Sequence, residues 1–181
     1  ECEDALAVHP DEPHLVTPRL DPGVPVLSLG RYAGPRRKAI VAVKEHGRTD
    51  LIRPLAHALH DGLEHLLNWG ILGFPLTVVP APTKRSSARK RGGDPVTRIA
   101  QLAVARTDVG AGRGPSIAAP GLGVVAALRL KTFTRDSVGL SSADRQRNIA
   151  GRVRLRTPVA GPVLLVDDIV TTGATAAESV H

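Results

Sequence analysis

P-V-L-L-V-D-D-I-V-T-T-G-A-T, running from Pro162 to Thr175, is the stretch that decides the fold. Its apolar residues Val163 to Val166 are consecutive and show no alternation. Such a run fits a short strand buried on both faces, as in a parallel sheet lying between helices. Asp167 and Asp168 stand where that strand ends. Thr171, Thr172, Gly173, Ala174 and Thr175 follow, small and hydroxyl-rich, and lead into the helix formers Ala176, Ala177 and Glu178. Strand, acid pair, hydroxyl loop and helix start outline a cradle for a sugar phosphate. Carboxylates accept hydrogen bonds from ribose hydroxyls, while backbone N–H groups, threonine hydroxyls and the positive end of a helix suit a phosphate.

Composition agrees with α/β layers. The 181 residues suffice for one domain with a real core, and 42% of them are apolar. Only Trp69, Tyr32, Phe74 and Phe133 are aromatic, so that core is expected to be aliphatic. The net charge of +7 points to a polyanionic ligand such as a nucleic acid, a nucleotide or pyrophosphate. Ordinary solubility charge in an arginine-rich chain is the competing explanation. The single cysteine, Cys2, excludes an intrachain disulfide and fits a reducing compartment. No apolar run nears the roughly 20 residues that span a bilayer, and no signal peptide is visible. The expectation is a cytoplasmic protein with no membrane contact. Glu1 stands where Met would start a chain, and His181 falls early in a helix. The natural protein is therefore expected to extend further, with the C-terminus here incomplete.

Residues 1–24, rich in proline and acids, read as an irregular N-terminal arm, with the domain proper over 25–181. Val24–Tyr32 is expected to be a strand. Pro35 suits the first turn of a basic helix through Arg36–His46, striped by Ala39, Ile40 and Val43 and closed by Gly47; Lys44, near its C-terminal end, is the cation of interest. A second helix runs from Thr49 or Asp50 to about Trp69, with a leucine face and Pro54 in its first turn. Its His57, His60 and His65 lack an acid–histidine metal motif and are expected on the surface. Leu76–Val79 reads as a strand closed by Pro80-Ala81-Pro82. Thr83–Asp94 is a basic loop carrying Lys84, Arg85, Arg89, Lys90 and Arg91, after which Asp94 caps a helix striped by Val96, Ile99, Leu102 and Ala103. Thr107–Gly123 reads as a long loop, Val124–Leu130 as a strand, and Val153–Leu155 as a short strand. Ser142 caps a short helix through Ile149, whose Arg145, Arg147 and Asn148 either face a ligand or lie exposed.

Val163–Thr175 closely resembles the ribose-5-phosphate signature of type I phosphoribosyltransferases: aliphatics, an acid pair, two aliphatics, then T-T-G-A-T. Three further segments narrow the resemblance to the ComF family of competence-associated proteins. They are Y-A-G-P-R-R-K-A-I-V-A-V-K-E-H-G-R (Tyr32–Arg48), V-P-A-P with the R-K-R-G-G loop (Val79–Gly93), and T-F-T-R-D-S-V-G-L-S-S-A-D-R-Q-R-N (Thr132–Asn148). The resemblance implies a parallel-sheet type I phosphoribosyltransferase fold with helices on both faces and a basic flexible loop. It also implies that Asp167 and Asp168 bind the ribose hydroxyls of phosphoribosyl pyrophosphate (PRPP), partly through Mg²⁺. Thr171, Thr172, Gly173, Ala174 and Thr175 would hold the 5-phosphate, and Pro82, Thr83 and Lys84 would take the pyrophosphate. Arg89, Lys90 and Arg91 would lie in the closing loop, with Lys84, Arg89 and Arg91 joining the acid pair in catalysis. Two places depart from the family pattern. Only Cys2 remains of a four-cysteine zinc motif, so the arm reads as a remnant at most, and Gly93-Asp94 replaces an aromatic and an asparagine.

Two functions follow from the resemblance. One is Mg²⁺-dependent transfer of phosphoribose between pyrophosphate and a nitrogen acceptor. The other is a non-catalytic module that binds nucleotides or single-stranded DNA during DNA uptake and processing, alongside DNA-uptake proteins. The basic surface fits phosphate contact, whereas so few aromatics leave little stacking platform. Either reading leaves room for a homodimer.

Overall fold

The computed structural model describes residues 4–83, 93–105, 121–131 and 151–180. Within them the chain is mixed α/β, with four α-helices and a three-stranded parallel sheet. A 3-10 turn at Asp4–Leu6 comes first, followed by strands β1 (His14–Val16) and β2 (Val26–Ser28) and helix α1 (Gly34–His46). After a 3-10 turn at Thr49–Leu51 come α2 (Ile52–Asn68), β3 (Leu76–Pro80), α3 (Pro95–Ala105) and β4 (Leu122–Val124). The remaining elements are β5 (Leu128–Leu130), β6 (Val153–Leu155), β7 (Val163–Val166) and α4 (Ala174–Val180).

Helix boundaries follow local chemistry. Pro35 lies in the first turn of α1, and Gly47 ends it in the left-handed conformation (φ 62°). The next amide, Arg48 N, reaches back to Ala42 O at 3.2 Å, closing the helix end. Pro54 is tolerated in α2 because first-turn amides lack intrahelical partners anyway. The α2 residues Ile52, Ala56, Leu59, Leu63 and Leu66 recur at helical spacing and are all buried. They meet α3 through Ala100 and Ala103, and both helices close over Val78 of β3, which is fully buried. Ala100 and Ala103, small and buried, let the two helices approach over Val78. Helix α1 packs chiefly against the two 3-10 turns and α4 against β6, so the sheet's helical cover consists of α2 and α3.

β3 lies between β4 and β7 and is parallel to both, with Val78 opposite Val124 on one side and Leu164 on the other. Three expectations change here. The arm contributes a strand, because β1 pairs antiparallel with β2, which is only Val26–Ser28 rather than Val24–Tyr32. The strand expected over Val124–Leu130 is two strands: β4 starts at Leu122, inside the expected loop, and β5 turns away to pair antiparallel with β6. The break falls at 125–127, where Val125 N still donates to Val78 O but Ala127 N turns back to Val125 O. Finally, β7 is not buried on both faces. Val163 is exposed and Leu164 to Val166 are half-buried: among the described residues β7 is an edge strand of the sheet, and α3 packs over β4 and β3.

The histidines are not surface groups either. His60 is buried, with Nδ1 3.0 Å from Ala103 O, and His65 Nδ1 lies 2.7 Å from Glu12 O. Glu12, itself buried, receives both guanidinium nitrogens of Arg36 at 2.7 and 2.8 Å, and Arg36 also donates to Ala7 O. The arm is thereby fastened to α1 and α2. No helix among the described residues is long and apolar enough to cross a membrane.

Candidate functional site

The acid pair sits where two neighbouring strands stop together. Pro80 and Val166 are the last paired residues of β3 and β7, and Ala81 N donates to Val166 O at 2.7 Å. Pro82 lacks an N–H and cannot extend the ladder, so the backbone opens at this point. Asp167 and Asp168 thus emerge beside Pro82 and Thr83, at the C-terminal ends of parallel strands. From β3 the chain crosses through α3 to β4 on one side, while β7 lies on the other. In open α/β sheets, the crevice at such a reversal is where ligands bind.

Asp168 Oδ2 lies 2.8 Å and Oδ1 2.9 Å from the Lys44 ammonium, which projects from the last turn of α1. Asp168 N donates to Asp167 Oδ1 at 2.8 Å, orienting one carboxylate by the backbone of the other. Crowding by surrounding protein pushes the Asp167 carboxyl up, to about 8, and the adjacent Asp168 charge adds to this; the Asp168 N–H and Lys44 act in the opposite sense. The residue as a whole is nonetheless exposed, so water screens part of that crowding while the direction stays upward. Two carboxyl groups offering only oxygen donors are the ligand chemistry of Mg²⁺, with Asp167 giving up its proton as the cation arrives. The Lys44 ammonium already stands against one of them as a cation.

The hydroxyl loop is arranged differently from a fully open cradle. Thr171 is exposed and Thr175 half-buried, but Thr172, Gly173 and Ala174 are buried. They lie against the arm: Leu20 N donates to Thr172 O at 2.8 Å. Gly173 has φ 84°, and a Cβ there would stand 2.4 Å from Leu20 O and 2.8 Å from Pro18 Cβ. The Thr172 hydroxyl turns back toward Ala174 N at 3.4 Å, and Ala177 N bonds Gly173 O to begin α4.

Pro82 and Thr83 are half-buried beside the pair. Thr83 Oγ1 donates to Asp94 Oδ1 at 2.8 Å, and Thr97 Oγ1 donates to Asp94 Oδ2, while Asp94 O accepts from Arg98 N in the first turn of α3; Asp94 thus ties Thr83 to the start of that helix. Lys84, Arg89, Lys90 and Arg91 lie outside the described residues, as do Cys2, Arg145, Arg147 and Asn148. The described structure therefore unites Pro82, Thr83, Asp167 and Asp168, with the 171–175 loop following. It adds two participants. Lys44 was singled out in sequence as the cation of interest on its helix, but without a partner, whereas the Pro18–Leu20 contact carried no local signal. Comparison of the chain with protein-family models, with curated proteins and with solved structures finds no match.

Proposed function

We propose that the chain binds PRPP with Mg²⁺ and transfers its phosphoribosyl group to a nitrogen acceptor, as a phosphoribosyltransferase of the ComF type. The observation that carries this reading is the meeting of the acid pair with Pro82–Thr83 at the ends of β3 and β7, beside the reversal in strand order. Asp167 and Asp168 are suited to hold the ribose hydroxyls and Mg²⁺, and Thr171 offers an exposed hydroxyl to the 5-phosphate. The metal would neutralise charge on the departing pyrophosphate. In the transfer the C1–oxygen bond to pyrophosphate breaks, a C1–nitrogen bond forms, and the acceptor's proton passes to solvent. Lys44 releases Asp168 when the ligand arrives and becomes available to its anionic groups.

Calorimetric titration with PRPP and Mg²⁺, paired with pyrophosphate release across purine, pyrimidine and amine acceptors, tests the reading. Asp167→Asn combined with Asp168→Asn is expected to abolish PRPP binding while the circular dichroism spectrum is kept. A folded double variant that retains PRPP affinity refutes the site. The net charge of +7 equally suits a single-stranded DNA module in DNA uptake. Salt-sensitive DNA binding without pyrophosphate release with any acceptor would favour that second reading.

A further inference from the structure

A second group of ionisable side chains lies on α2, at its contact with α3. His60, Asp61 and Glu64 bring one imidazole nitrogen and two carboxylate oxygens within 4.8 Å of one another. His60 is held by α3, since its Nδ1 is 3.0 Å from the carbonyl oxygen of Ala103. A carbonyl oxygen only accepts, so Nδ1 carries the proton and donates it. Nε2 is left facing Glu64 Oε1 at 3.4 Å. A lone pair and a carboxylate facing each other, with the Glu64 side chain open to solvent, give a cation a place between them.

The separation is wide enough for an ion. Direct charge-assisted hydrogen bonds close to about 2.7–2.9 Å, whereas this pair stands 3.4 Å apart. Two ligand atoms each about 2.1 Å from a tetrahedral ion stand about 3.4 Å apart, which is the spacing of His60 Nε2 and Glu64 Oε1; the three ligand atoms together spread to 4.8 Å, so the Asp61 carboxylate has to turn inward for all three to reach one ion. Imidazoles that bind metals are commonly oriented this way, with the second ring nitrogen donating to a backbone carbonyl.

We propose that His60 Nε2, Glu64 and Asp61 form a site for a divalent transition-metal ion of the zinc class, and that the ion braces α2 against α3. Imidazole together with carboxylates favours such borderline ions over Mg²⁺ or Ca²⁺. A neutral ring and two carboxylates carry two negative charges, which the ion cancels, and the fourth tetrahedral position stays open to water. The His60 ring is pinned to Ala103 O, so an ion on Nε2 is mechanically coupled to both helices. The site shares no residue with the acid pair and does not rest on the PRPP reading.

The test uses the full, tag-free chain, stripped of metal and titrated with Co²⁺, followed by competition with Zn²⁺. One equivalent of Co²⁺ is expected to give the visible absorption of tetrahedral coordination, to be displaced by Zn²⁺ and to raise the melting temperature. Glu64→Gln and Asp61→Asn change half-buried groups and are each expected to weaken Co²⁺ binding about tenfold or more. His57→Asn on the same helix is expected to leave binding unchanged. A folded wild-type chain that takes up no Co²⁺ overturns the proposal. So does a folded Glu64→Gln chain that binds Co²⁺ as tightly as wild type.

Discussion

Replacing Gly173 by Ala isolates how firmly the arm is seated on the hydroxyl loop. Two costs act at this position. The left-handed backbone, φ 84°, disfavours any Cβ by about 1–2 kcal/mol. The new Cβ would also lie 2.4 Å from a main-chain oxygen, Leu20 O, which cannot rotate aside as a side-chain tip would. Overpacking of this kind costs about 1–3 kcal/mol. Displacing Leu20 also stretches its bond to Thr172 O, worth about 1 kcal/mol. The expected loss is about 3–6 kcal/mol, or a fall in melting temperature on the order of 10 °C for a chain of this length. Gly161→Ala is the internal reference, because Gly161 has nearly the same backbone, φ 78°, and a Cβ there would meet nothing within 4 Å. It should cost only the backbone share, about 1–2 kcal/mol. Urea denaturation of both variants measures the difference. Equal losses in the two would show that the arm does not press on the loop, and would refute the argument.

Other outcomes follow from the charged pairs. Arg36→Met leaves buried Glu12 without its bidentate partner and is expected to cost about 2–3 kcal/mol in the same denaturation assay. Arg36 also holds the Glu12 carboxyl below its ordinary value, chiefly through the side-chain hydrogen bond. The resulting stability is present above the unfolded value of 4.5 and is lost as pH falls through the lower folded value. An acid titration of stability should therefore be shallower in Arg36→Met than in wild type. Asp167 has the opposite sign. Its folded value is raised, so its favourable contribution is complete below 3.8 and disappears as pH rises toward about 8. Asp167→Asn should be relatively more stable than wild type at pH 9 than at pH 4, and a constant difference across that interval would contradict the crowding described.

The local punctuation of the chain was readable without coordinates. Pro35 and Gly47 bracket α1, Pro54 falls in the first turn of α2, and Asp94-Pro95 marks the start of α3, because each depends on chemistry within a few residues. The site was readable at its centre for a similar reason: a strand, an acid pair and a small-residue loop are contiguous from Val163 to Thr175. What sequence missed depends on distant partners. β1 exists because Val26–Ser28 is available to pair with it, and the split between β4 and β5 depends on β3 and β6 taking the two halves separately. His60 looked like a polar position on a leucine-rich helix, and only the placement of Ala103 gives it a buried partner. Likewise Lys44 and Asp168, 124 residues apart, come together through packing rather than through any motif.

The contact between Leu20 and Thr172 also has a consequence for biosynthesis. Its two partners lie near opposite ends of the described chain, so Pro18–Leu20 has no seat until the hydroxyl loop is made, although the arm before it is already fastened to α1 and α2. Contacts of such long sequence separation form late, because the intervening loop must be closed before they contribute. Leu20, half-buried, and Pro22, fully buried in the folded structure, lie beside that contact and are left more open to solvent during that interval. The segment around Pro18–Leu20 is then the part of the arm that stays open longest during synthesis, while the rest of the arm and the α2–α3 core can already be in place.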